Sequence, residues 1–154
     1  GNIDIEAASG DLIVNGANAD ALTVATSSGD IKLDSVSSKD TRISANSGDV
    51  SLGDVVMDNI DLKTSSGNIT SGSIKAKRIN GRASSGDVMI RDCDASEINV
   101  VTTSGDVSIG IGSEMKYEYN TKTSSGDVNV PDSVEGADGK CNIETSSGDI
   151  DVTQ

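Results

Sequence analysis

Between Gly29 and Gly48 the apolar residues stand at Ile31, Leu33, Val36, Ile43 and Ala45, with polar or charged residues between them. This alternation predicts strands with one buried and one wet side. The scheme recurs along the chain, as Leu12, Val14, Ala17, Leu22 and Val24, then Val50, Leu52, Val55, Ile60 and Leu62, then Val88, Ile90, Cys93, Ile98 and Val100. Each unit is expected to hold a short strand, a bend, and a second strand that leads into a Ser-Gly dipeptide.

That dipeptide sets the period. Ser-Gly-Asp, or Ser-Gly-Asn once, occurs eight times, with glycines at Gly10, Gly29, Gly48, Gly67, Gly86, Gly105, Gly126 and Gly148; the first five intervals are nineteen residues each. A period this strict predicts a solenoid whose coils stack on their neighbours. The fold class expected is therefore all-β: a single-stranded parallel β-solenoid of about eight turns, forming one domain over residues 1–154. At about 4.8 Å per coil, seven intervals would make a rod of roughly 34 Å. Ile, Leu, Val, Ala and Thr ladders would fill its interior.

The motif has a structural job. The chain must turn sharply in every coil, and glycine alone enters positive φ without penalty. Asp30, Asp49, Asp87, Asp106, Asp127 and Asp149, together with Asp11 and interrupted by Asn68, would form a stacked row of carboxylates. Neighbours in such a row repel by about 0.9 kcal/mol in bulk water. The row must therefore bond backbone donors or attract cations. Ten residues beyond each glycine stand Asp20, Lys39, Asp58, Lys77 and Ser96, so opposite charges lie one coil apart, either as cross-strand pairs or as a merely solvated edge.

The period breaks near the C-terminus. The interval from Gly105 to Gly126 has two extra residues and carries Met115, Tyr117 and Tyr119; the next has three extra and carries the only proline. Tyr119 falls in an inward slot, which leaves Tyr117 at the edge of a bulge, partly exposed. Pro131-Asp132-Ser133-Val134-Glu135-Gly136-Ala137-Asp138-Gly139-Lys140 reads as a protruding loop. Tyr117, Pro131, Asp132, Glu135, Asp138 and Lys140 are thus the candidate contact residues. Cys93 and Cys141 fall in inward slots of coils two apart, about 9.6 Å, too far for a disulfide, and are expected free and buried.

Composition narrows the functional classes. With formal net charge −13 and no His, the chain is a poor partner for nucleic acid or anionic membranes, which need a basic surface. No apolar run is long enough to span a bilayer. The chain also opens inside the repeat, with Ile3, Ile5 and Ala7 placed before Gly10 as Leu22, Val24 and Thr26 are before Gly29. The expectation is a domain excised from a longer surface or membrane-anchored protein, or one whose leader is gone.

In its Ser-Gly-Asp-Ile/Val coils, from Ile3 to Val152, the chain resembles the bacterial adhesin-like domains of unknown function, repeat β-solenoids with recurrent Ser-Gly-Asp turns. The resemblance implies a bacterial cell-surface or envelope location and carries over no catalytic motif. The leading expectation is a non-enzymatic binding module that presents a rigid acidic face to an unidentified protein or glycan, without a cofactor. The alternative is a spacer or assembly element, and the exposed edges of the outer coils would permit end-to-end self-association. A Ca²⁺-binding solenoid is less well supplied, since one Asp per coil gives few of the six to eight oxygens the ion takes. A carbohydrate-active β-helix enzyme would need two carboxylates flanking a cleft. Ice binding would need Thr26, Thr64, Thr102, Thr123 and Thr145 to face outward, whereas their slot points in.

Overall fold

A computed structural model describes residues 1–154. Thirteen strands run in chain order: β1 (Asn2–Ser9), β2 (Leu12–Asn15), β3 (Asn18–Ser28), β4 (Ile31–Asp34), β5 (Val36–Ser47), β6 (Val50–Ser66), β7 (Ile69–Ser85), β8 (Val88–Ser104), β9 (Val107–Ile111), β10 (Tyr117–Ser125), β11 (Val128–Asn129), β12 (Gly139–Ser147) and β13 (Ile150–Thr153). Every pairing is parallel. The chain is the all-β solenoid that the period implies, with about eight turns. In the middle coils the short and long strands merge into single strands of 17 residues.

Register follows the repeat. Leu22 pairs with Thr41, Thr41 with Ile60, Ile60 with Ile79, and Ile79 with Ile98, each 19 residues on. These slots stack into the interior, where 33 buried apolar residues form one cluster. Aliphatic ladders serve in place of a conventional core, because parallel stacking places identical side chains a coil height apart. Thr64, Thr102 and Thr145 also point inward and are almost fully buried; each hydroxyl donates to the glycine carbonyl of the coil before it in the stack, Gly48, Gly86 and Gly105. The threonine row is interior, as the pattern of slots predicts.

The stacking order departs from the order of the chain at one end. β12 lies between β8 and β10, and β13 lies between β9 and β11. The turn at Gly105 donates to Ser147, and the turn at Gly148 donates to Ser125. In space the glycines therefore run 10, 29, 48, 67, 86, 105, 148, 126. This corrects the expectation of strictly sequential stacking, and it gives the irregular intervals a physical reason. After β9 the chain must climb two coil heights instead of one, and after β11 it must come back. The two-residue and three-residue additions supply that reach.

The segment between β11 and β12 does not protrude, contrary to expectation. It lies along the outer edge of β10: Val134 N–H donates to the Tyr117 carbonyl, Tyr119 N–H to the Ser133 hydroxyl, and Gly136 N–H to Glu118. Strand edges left open invite pairing with other chains, and this segment covers the first part of that edge.

Candidate binding surfaces

The Ser-Gly-Asp row is the most regular surface feature. Its glycines from Gly29 onward have φ between 136° and 151°, a region that L side chains rarely adopt. A Cβ on Gly67 would sit 2.0 Å from the Gly48 carbonyl oxygen, so the coils close on each other only through glycine. The following residue ties the coils together. Asp30 N–H donates to the Asp11 carboxylate at 3.0 Å, Asp49 to Asp30, Asn68 to Asp49, Asp87 to Asn68, Asp106 to Asp87, Asp149 to Asp106 and Asp127 to Asp149. Of the two roles open to the carboxylate row, the structure shows backbone bonding. Asn68 fits because its Oδ1 accepts as a carboxylate oxygen does.

The charged row ten residues after each glycine forms pairs: Lys39 with Asp20 at 2.7 Å and Lys77 with Asp58 at 3.0 Å. The hydrogen bond from Lys39, with help from the Gly1 amino group, pulls the Asp20 carboxyl down to about 2. All four side chains are solvent-exposed. Pairs of this kind fix register more than they stabilise.

Tyr119 takes the inward slot expected of it, in register with Cys141, Ile98 and Ile60 and packed against the core at the outermost coil, whereas Tyr117 does not stand at a partly exposed edge. Tyr117 is fully buried, and its hydroxyl donates to the Ala95 carbonyl. Tyr119 is only half-buried, with its ring 5.9 Å from that of Tyr117. Tyr117 is therefore removed from the candidate contact residues. Its ring lies over Gly139, where a Cβ would meet ring carbons at 2.6 Å, so the extra residues before β10 bring a large side chain inward at the swapped coil. Of the other candidates, Pro131 is half-buried, while Asp132, Glu135, Asp138 and Lys140 are exposed. Asp138 and Lys140 border a polar hollow of about 480 Å³ with Lys77, Arg78 and Glu97; Asp132 and Glu135 lie apart from it.

Cys93 and Cys141 are free and buried. They are not two coils apart, because Cys141 pairs with Ile98, in the same coil as Cys93. The strand swap causes this difference. Burial pushes both thiols up to about 12, which keeps them protonated and poor nucleophiles.

A second surface was not singled out by the sequence pattern. The second halves of the coils form one sheet whose outward side chains stand in rows. One row runs Arg42, Asp61, Asn80, Asn99, Asn142, Asn120; the next runs Ser44, Lys63, Arg82, Val101, Glu144, Lys122. The amides link across coils, Asn99 Nδ2 to Asn80 at 3.1 Å and Asn142 Nδ2 to Asn99 at 2.8 Å. Where this face reaches the swapped coils, Asn99, Asn142, Asn120, Val101, Glu144 and Lys122 border a groove of about 290 Å³. The signal available in the sequence was the polar residue six positions before each glycine, which reads Asp4, Thr23, Arg42 and Asp61 and then becomes Asn at Asn80 and in every later coil.

Compared with known families, the chain matches the Toastrack model, DUF4097, over residues 1–153. The chain belongs to the Toastrack family. This is a domain family of unknown function, so membership accounts for the solenoid and assigns no activity to this Toastrack domain. No curated protein and no solved structure matches it.

Proposed function

We propose that this Toastrack domain is a non-enzymatic binding module of the bacterial cell surface or envelope, which holds rows of polar side chains in fixed register for contact with a protein or glycan. The observation that carries the reading is the amide-lined groove at Asn99, Asn142 and Asn120, where three coils offer the same hydrogen-bonding group side by side next to the exposed Val101. Repeating slots on a rigid scaffold are how solenoids make extended binding surfaces. The absence of an enzymatic role in this reading rests on what the carboxylates do: those of the turn row accept backbone N–H groups from the next coil, which is a turn-holding task. The acidic row is then scaffold, and the mixed-charge face is the contact surface.

The test is a retention screen of the purified domain against cell-wall glycans, envelope extracts and matrix proteins, with a Val101→Glu/Asn120→Glu variant that fills the groove with charge. Retention of the native domain by at least one fraction, reduced in the variant, is the expected result. If no fraction retains the native domain better than an inert protein of equal charge, the module reading fails, and the rod serves instead as a spacer.

A further inference from the structure

The charge of the long face is unlike that of the rest of the molecule. Arg42, Lys63, Arg78, Arg82, Lys122 and Lys140 all project from it, six of the twelve cations in a chain of net charge −13. Arg78 is paired with Glu97 and Lys122 with Glu144. Arg42, Lys63 and Arg82 stand in three consecutive coils, are exposed, and enter no ion pair. The one acidic group in their two rows at these coils is Asp61, beside Arg42 and Lys63; Asp40 and Glu97 occupy the adjoining row, where Asn59 and Arg78 bond them. Three unpaired cations on an acidic solenoid therefore form a strip that runs along the rod and continues into the amide row and its groove.

We infer that this strip binds a linear, carboxylate-bearing glycan laid along the solenoid axis, with Arg42, Lys63 and Arg82 on its acid groups and Asn80, Asn99, Asn142 and Asn120 on its hydroxyls. The inference rests on the binding-module reading and names its ligand class. Coil spacing of about 4.8 Å is close to the advance of one ring in an extended polysaccharide, so successive rings meet equivalent side chains. Guanidinium and ammonium groups suit carboxylates. An amide offers a donor and an acceptor together, which matches a hydroxyl; Asn99, whose N–H groups already go to Asn80 and Glu97, contributes its oxygen alone. Val101, 44 % exposed among these polar rows, supplies an apolar seat for the C–H face of a ring. Asn120 lies in register with Asn142, is exposed, and bonds no other side chain, so its amide is free for a ligand. An acidic protein would satisfy the cations but has no use for a continuous amide row.

Oligogalacturonate is a suitable probe, with its methyl ester as the uncharged counterpart, titrated into the whole domain by calorimetry at low and high salt. The expected result is binding of the acid form, weakened about tenfold or more both by esterification and in Arg42→Gln/Lys63→Gln/Arg82→Gln, and reduced by salt as exposed charges are screened. Lys39→Gln/Lys77→Gln, on the ion-paired row, should leave affinity within about twofold, since these cations already have partners. All five positions are exposed, where substitutions change stability little. Equal binding of acid and ester, or an unchanged affinity in the triple variant, would overturn the assignment. So would failure of the native domain to bind the acid form. If envelope fractions still retained the domain in that event, the module reading would stand and the ligand class alone would fall; retention only by an acidic protein would move the strip to a protein partner.

Discussion

The coils from Gly10 to Gly105 and the two coils after them solve the same packing problem differently. In the first group every slot repeats at 19 residues, and stability comes from identical ladders: glycine on glycine carbonyl, Asp on the next Asp N–H, aliphatic on aliphatic. In the second group the stacking order is reversed, the connections are longer, and Tyr117 fills space that aliphatic residues fill elsewhere. Turn chemistry is nevertheless common to both. Gly148 and Gly126 take the same φ as the others and approach the carbonyl of the coil that lies next to them in space, not in sequence. The motif therefore encodes a stackable layer, while connection length decides which layer a segment enters.

The largest effect that would sharpen this contrast is expected at Tyr117. Tyr117→Ala should lower unfolding free energy by about 4 kcal/mol, as for a large buried aromatic, and Tyr117→Phe by about 1 kcal/mol, because the Ala95 carbonyl loses its donor. Urea denaturation reads both. Equal losses would mean that the hydroxyl bond, and not the ring, seats the swapped coil.

Next come the glycines. Gly67→Ala places a methyl 2.0 Å from a carbonyl oxygen and should cost about 3 kcal/mol. Gly10→Ala, with φ 101° but nothing within 4 Å, should cost only about 1 kcal/mol. Similar melting temperatures for the two variants would show that conformational strain, and not coil-to-coil contact, selects glycine. A smaller difference is expected in the carboxylate row: Asp49→Ala strands the Asn68 N–H and should cost about 1 kcal/mol, whereas Asp127→Ala, at the outer coil, should be close to neutral because no N–H of the chain depends on that side chain.

The smallest effect concerns pH. With its carboxyl held near 2 by Lys39, Asp20 adds stability that is fully present above the ordinary carboxylate range near 4 and is lost as pH falls through 2. Lys39→Met should flatten that acid limb slightly, and a limb that kept its shape would assign the loss to other carboxylates. At the alkaline end the raised thiols work in the opposite sense: their contribution holds below about 9 and fades as pH rises toward about 12.

Much of the fold was legible because a parallel solenoid writes one rule per coil. Inward slots, the turn glycines and the Asp row could be read from offsets alone. The swap could not, since Gly105-to-Gly126 and Gly126-to-Gly148 look like ordinary intervals with additions, and nothing in Thr121 or Ile143 states which neighbour each will meet. That error carried through to Tyr117, to the separation of Cys93 and Cys141, and to the segment Pro131–Lys140, all of which depend on the order of layers. The long face was hidden for another reason. Arg42, Lys63 and Arg82 are separated by 21 and 19 residues, and they become neighbours only when outward positions of several coils are read across the strands.

The Asp row gives the molecule a direction. Each side chain of the row except that of Asp127, at the outer end, accepts from the coil on one side and none from the other, so the sequence of bonds from Asp11 to Asp127 points one way without reversal. The two ends of the rod therefore differ like the ends of an arrow, and a polymer with its own chemical sense, laid along the sheet, would meet different surroundings if it were turned around.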